Sequence, residues 1–175
     1  DGEAGAPAVW SYGHRNVQGL YYDADTGTLY ETEHGPKGGD ELNLVTPGTN
    51  YGWPEITYGV NYDGTIITNK TEAEGMAQPL TYWVPSIAPS GLVMLTSDVY
   101  PGWKGDLFTG GMNGPAGLEL TRSDMENGEV VGKQSLFDGE YPIRDVVQGP
   151  DGHLYVATKD FDGIFRVDIA EAEAE

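Results

Sequence analysis

The sequence predicts an all-β fold, a β-propeller of about three blades. Three observations lead there. Glycine (26), proline (11) and tyrosine (11) are abundant among 175 residues, a mixture of turn formers and aromatic strand residues. Short alternating segments are punctuated by turn signals. The chain also repeats itself loosely at the spacing of propeller blades.

The first unit is QGLYYDADTGTLYETE followed by DELNLV. The second is SGLVMLTSDVYPGWKGDLFTGG followed by GLELTRS, and the third is RDVVQGPDGHLYVATKD followed by GIFRVDI. Each gives a short strand, a glycine-containing turn, a strand with an aromatic residue, then another strand. Asp25-Thr26-Gly27 and Pro150-Asp151-Gly152 are the turns of the first and third units. In DGHLYVATKD, Leu154, Val156 and Thr158 fall on one face and Tyr155 and Ala157 on the other. Both faces are fairly apolar, as in a sheet covered on both sides. Leu29-Tyr30, Leu107-Phe108 and Leu154-Tyr155 align. The step from 107 to 154 fits one blade of roughly 40–50 residues. The step from 29 to 107 fits a blade plus an insertion over about residues 53–85. Propellers close at roughly four to eight blades, so three leave two apolar blade faces to be covered by something else. Residues 1–9 read as a flexible lead-in, 10–169 as the partial propeller and 170–175 as a solvated acidic tail.

Composition excludes several functions. Nine Lys and Arg against 28 Asp and Glu give a formal charge of −19. No basic stripe is available for nucleic acid or an anionic membrane surface. Such a charge reads as a solvated surface. There is no cysteine, which removes disulfides, thiolate zinc sites and cysteine nucleophiles. No run approaches the ~20 apolar residues of a membrane span.

The motif that asks for explanation is EHGPKGGDELN, residues 33–43. Glycine and proline deny the backbone regular pairing and free carbonyl oxygens. Carbonyls beside carboxylates are ligands for a hard cation such as calcium, so Gly35, Pro36 and Glu41 are candidate ligands. A solvated loop is the plain alternative. In GHRNVQGL (13–20), Arg15 and Asn16 suit carboxylate or carbonyl recognition, or else tie a turn to a neighbouring blade. NYGWP (50–54) and TYWVPSIAPSG (81–91) carry Tyr51, Trp53, Tyr82 and Trp83 on irregular segments, either as ligand walls or as loop packing. There is no nucleophile elbow, dinucleotide fingerprint or phosphate loop.

Taken in order, GHRNVQGL, EHGPKGGDELNLVTPGTNYGWP, YWVPSIAPSG and IRDVVQGPDGHLYV resemble the C-terminal half of the soluble pyrroloquinoline quinone (PQQ) dependent sugar dehydrogenases. That group includes soluble glucose dehydrogenase and the aldose sugar dehydrogenases. The resemblance runs from about Trp10 to Asp168. It implies half of a six-bladed propeller from a periplasmic or secreted quinoprotein. PQQ and calcium are the cofactors it implies. It also implies that the aldose gives up its C1 hydride to PQQ while a histidine removes the hydroxyl proton. It implies that Gly35 and Pro36 hold the PQQ-bound calcium through their carbonyls. Glu41 and Tyr51 then hold a second calcium. It implies that Arg15, Asn16, His34, Tyr62 and Arg144 contact PQQ.

The departures are specific. The family's catalytic histidine lies in the other half, and none of His14, His34 and His153 matches it. Where the family shows Arg-x-Arg this chain has Pro142-Ile143-Arg144, and GGMNGPAG (110–117) lacks a lysine found in some members. Each lost charge-assisted contact to the PQQ carboxylates weakens binding by about 1–3 kcal/mol. The missing blades are expected on another chain or on a removed segment of a longer protein, with a second copy of this chain as a further alternative. A calcium-binding module without redox turnover is the alternative function.

Overall fold

The structure, a computed structural model, describes residues 8–113, 117–160 and 163–169. The tail at 170–175, most of the lead-in and part of GGMNGPAG lie outside the described residues. Among the described residues there is no helix, and eleven strands form three antiparallel sheets. The chain divides into two compact units, residues 1–86 and 87–175.

The first unit holds one sheet in the order β1 (Val17–Asp23), β2 (Thr28–Glu33), β3 (Asp40–Val45), β4 (Thr81–Trp83). Asp23 makes the β1–β2 turn. Its carboxylate accepts the Asp25 N–H at 3.0 Å and the Thr26 hydroxyl, and its carbonyl accepts the Gly27 N–H at 2.8 Å. Gly27 has φ +73°, a region that glycine enters without penalty. Tyr30, Thr32 and Leu42 share one buried face of the sheet.

The sequence expected an insertion near 53–85 and an irregular 81–91. The excursion without a named strand is instead 46–80. Thr81–Trp83 is a strand pairing with Asp40–Leu42. Tyr82 and Trp83 are therefore sheet residues. Thr81, Tyr82 and Trp83 are residue types that strands favour, but a run of three is too short to mark one, and the free edge of β3 decides their conformation. Tyr51 anchors the start of the excursion: its hydroxyl donates to Leu44 O at 2.6 Å and accepts the Thr46 N–H at 3.0 Å.

The second unit holds β5 (Pro89–Met94), β6 (Leu107–Met112), β7 (Leu118–Glu126) and β8 (Glu129–Leu136) in that order. Beside them is a sheet of β9 (Ile143–Gln148), β10 (Leu154–Thr158) and β11 (Ile164–Arg166), ordered β11-β10-β9. The aligned pairs Leu29-Tyr30, Leu107-Phe108 and Leu154-Tyr155 fall within the first three residues of β2, β6 and β10, the second strand of each sheet. Asn127 and Gly128, with φ 53° and 84°, form the β7–β8 turn, as two-residue hairpins favour. On β10, Leu154 and Val156 are buried while Tyr155 and Ala157 are half-buried.

The two sheets meet through side-chain-to-backbone bonds. Ser90 Oγ donates to Ile143 O, and Ser97 Oγ to Gly152 O, each at 2.6 Å. Buried Tyr100 donates to Val167 O at 2.6 Å and accepts the Leu154 N–H at 2.8 Å. Tyr100→Phe leaves both backbone groups without that partner, so it is expected to cost about 1–3 kcal/mol. Denaturant unfolding reads this directly, as a lower midpoint at unchanged slope.

Candidate functional site

Four side chains meet on one face of the first sheet because of strand periodicity. Glu31 and Glu33 lie two apart on β2 and so point the same way. Their cross-strand partners on β3 are Asn43 and Glu41. Like charges directly opposite are unfavourable, and Glu31 and Glu33 are almost fully buried. Asn43 bridges the face, donating from Nδ2 to Glu31 at 2.8 Å and to Glu41 at 3.2 Å. Glu31 Oε2 and Asn43 Oδ1 are buried without a hydrogen-bond partner.

His14 caps this face. Its Nδ1 lies 3.4 Å from Glu31 and 3.7 Å from Glu33, its Nε2 is 2.8 Å from Ser11 Oγ, and its ring stacks on Tyr51 at 4.5 Å. Ligand atoms of His14, Glu31 and Glu33 all lie within 4.8 Å of one another. Hydrogen bonding to Glu31 and then Glu33 pushes His14 up to about 9. Burial, reinforced by Glu33 and Glu31, pushes Glu41 up to about 7 against the opposing Asn43 bond. Glu31 is raised mainly by burial.

The glycine-rich loop folds beside this face. Asp40, fully buried, accepts the Gly35 N–H at 2.9 Å and the Ser86 hydroxyl at 2.7 Å. The Gly39 N–H donates to Trp83 O at 2.8 Å, and the Lys37 N–H to Val60 O at 3.0 Å. Backbone meets backbone here. A Cβ on Gly39 would lie 2.5 Å from Gly59 N, and one on Gly35 2.3 Å from Gly38 O. Arg15 Nη1 donates to His34 O at 2.9 Å and Gly35 O at 2.8 Å, and its guanidinium lies over Trp53. Glu33 in turn accepts the N–H groups of Arg15 and Asn16.

Of the sequence-predicted residues, Arg15, His34, Gly35, Glu41 and Tyr51 line one narrow cleft together with Glu33 and Trp53. Pro36 is buried in the same loop, and Asn16 is exposed at its flank. Tyr62 is 72% exposed on the excursion and does not line the cleft. Arg144 is exposed on β9 of the second unit. Sequence reasoning did not single out Glu31, Asn43, or His14 as part of an acidic face. The signal was two acids of equal parity on one strand, Glu31 and Glu33, facing an acid and an amide of equal parity on the next, Glu41 and Asn43.

Comparison with known proteins places these features among relatives. A family model described as glucose/sorbosone dehydrogenase matches residues 1–167. The chain is 42% identical over 166 residues to the aldose sugar dehydrogenase YliI of Escherichia coli, covering 92% of this chain and 44% of that protein. A solved glucose dehydrogenase superposes with a TM-score of 0.85 at 42% identity, covering 94% of this chain and 48% of that one. The PQQ-bound aldose sugar dehydrogenase of Streptomyces coelicolor superposes with a TM-score of 0.65 at 33% identity, covering 89% and 40%. The chain thus spans less than half the length of each of these.

Proposed function

We propose, starting from the fact that this chain belongs to the glucose/sorbosone dehydrogenase family of soluble PQQ sugar dehydrogenases, that it is the C-terminal half of a PQQ- and calcium-dependent aldose dehydrogenase working in the periplasm or outside the cell. The observation that carries this reading is the convergence of Arg15, His34, Gly35, Glu41 and Tyr51 on one cleft. A relative of the same fold is described as PQQ-bound.

The residues fit the groups assigned to them. The buried acids and the unpartnered Asn43 oxygen are hard donors suited to calcium. The Tyr51 hydroxyl is spent on Leu44 and Thr46, so its main-chain carbonyl is the oxygen it has to lend beside Glu41. Gly35 O already accepts from Arg15, yet a carbonyl has a second lone pair. Gly35 and Pro36 are assigned the cofactor-side calcium, and Arg15, Asn16 and His34 the PQQ, to which Tyr62 and Arg144 are assigned by the resemblance alone. Held by these residues, PQQ would supply the acceptor for the sugar's C1 hydride and calcium the Lewis acid beside it. Arg15 keeps the loop carbonyls placed. A second reading, a calcium-holding module without turnover, is favoured by Pro142 where a second arginine is expected and by the lysine missing from 110–117.

Calcium is expected to raise the melting temperature by mass action, and more so at higher pH. Without the ion Glu41 holds its proton up to about 7, above its unfolded value. The folded state is therefore favoured below the ordinary carboxylate range and loses that advantage as pH rises through 7. Calcium competes with this proton. The calcium-induced rise in melting temperature should be larger at pH 8 than at pH 5.5, and Glu41→Ala should remove part of it. A melt unchanged across millimolar calcium at pH 8 would sink the calcium assignment.

A further inference from the structure

We infer that Trp53 is a positioning residue of the cleft. Its indole carries the Arg15 guanidinium so that Nη1 stays on the loop carbonyls and the Nε–Nη2 edge stays free for a carboxylate of the ligand. That the ligand is PQQ rests on the reading above; the role of Trp53 does not.

Two motifs far apart in the sequence are joined to make this contact. Tyr12 N donates to Thr49 O at 3.1 Å, and Tyr51 N to Tyr12 O and Trp53 N to Gly13 O, both at 2.8 Å. The approach is close enough to require glycine at 13, where φ is +80° and a Cβ would lie 2.6 Å from Gly52 N. Asn50 steadies the turn by accepting the Gly52 N–H on Oδ1 at 2.9 Å. Trp53 is thereby anchored at Gly13, two residues before Arg15. The guanidinium carbon lies 5.3 Å from the centre of its ring, within the range of a cation–π contact.

The guanidinium offers donors on more than one side. Nη1 is taken up by His34 O and Gly35 O. Among the described residues Nε and Nη2 bond to nothing, and the guanidinium has no ion-pair partner. That is notable in a chain with 28 acids against nine Lys and Arg. Glu33, beside it in the cleft, spends its carboxylate on the backbone N–H groups of Arg15 and Asn16 instead. The Nε–Nη2 edge is a fork that takes a carboxylate through two parallel bonds. The loop carbonyls fix the position of one nitrogen. The indole fixes the plane of the whole group, and with it the direction of the open fork. A merely apolar residue at 53 fills the same space without setting that plane.

The test reads Arg15 itself in the full, ¹⁵N-labelled chain. Side-chain NMR gives the rate at which the guanidinium rotates about its Nε–Cζ bond. Trp53→Leu should speed that rotation about fivefold or more, and Trp53→Phe, with a weaker aromatic face, by less. Affinity for PQQ, followed by its absorbance, should fall about tenfold with leucine and less with phenylalanine. Arg15→Lys keeps the charge but has neither plane nor fork. In that background Trp53→Leu should cost no further affinity. If Trp53→Leu does not fold, Trp53→Phe and Trp53→Tyr carry the same comparison. A lower melting temperature with the Arg15 rotation rate unchanged makes Trp53 a packing residue and overturns the inference. So does an equal loss of affinity in the Arg15→Lys background. A wild-type chain that binds no PQQ overturns the cofactor reading, and the rotation rate alone then decides the role of Trp53.

Discussion

Supplied with calcium, PQQ, an aldose and a dye acceptor, the 175-residue chain alone should oxidise no sugar above the background of free PQQ. By the resemblance, none of its three histidines matches the family's general base. His14 is pushed up to about 9 by Glu31 and Glu33, so at neutral pH it already carries the proton it would have to accept. Its other nitrogen meets Ser11. His153 lies 3.2 Å from Asp151 at the β9–β10 turn, against the edge of Tyr100. His34 holds Arg15 through its carbonyl, and the resemblance assigns it to the cofactor. A positioned base contributes about 10²–10⁴-fold, so its loss alone takes turnover to background. Adding a separately produced half that carries the family's histidine should restore activity. It should not do so if Pro142 and the lost lysine have disabled the cofactor site, and then the module reading stands. Robust oxidation by the isolated chain would overturn the half-propeller account.

Asp40→Ala should be the most damaging single substitution near the cleft, costing about 3–5 kcal/mol. One carboxylate oxygen accepts the Gly35 N–H and the other the Ser86 hydroxyl, with Asp40 fully buried. Alanine withdraws both acceptors at once. Bonds to a charged acceptor contribute about 1.5–3 kcal/mol each. The melting temperature should fall by roughly 10 °C. The loop that aims Gly35 and Pro36 is released too, so the calcium-induced rise should shrink. Asp40→Asn keeps the shape and one good acceptor, and should cost about half as much. A loss under ~1 kcal/mol for the alanine variant would show that the loop is held by its other bonds.

The fold was legible where sequence and tertiary demand agree. The second strands β2, β6 and β10 could be aligned because each carries, at or next to its start, leucine and an aromatic residue that pack as sheet residues. β8 could have been found: Asn127-Gly128 is a strong hairpin signal, but EVVGKQSL around it is too polar to stand out. β4 could not, because its pairing is imposed by β3. The site was half legible. The loop motif and the resemblance gave Arg15, His34, Gly35, Glu41 and Tyr51, which the structure brings together. Glu31 and Glu33 read locally as a solvated face, since Glu31-Thr32-Glu33 is what an exposed strand looks like. Their burial comes from what packs over them, which no local pattern states.

A library of every single substitution across residues 33–41 should give a comb of tolerance. Position 37 is exposed and should accept nearly anything. Positions 35 and 39 should reject all nineteen alternatives alike, whatever their size or polarity, because the first carbon of any side chain collides with main chain. Position 38 should follow them for conformational reasons, with φ +78°. Fitness there should not correlate with hydrophobicity or volume. The loop's shape is specified by atoms that are left out, so variation in this segment can abolish the shape but has no graded way to retune it.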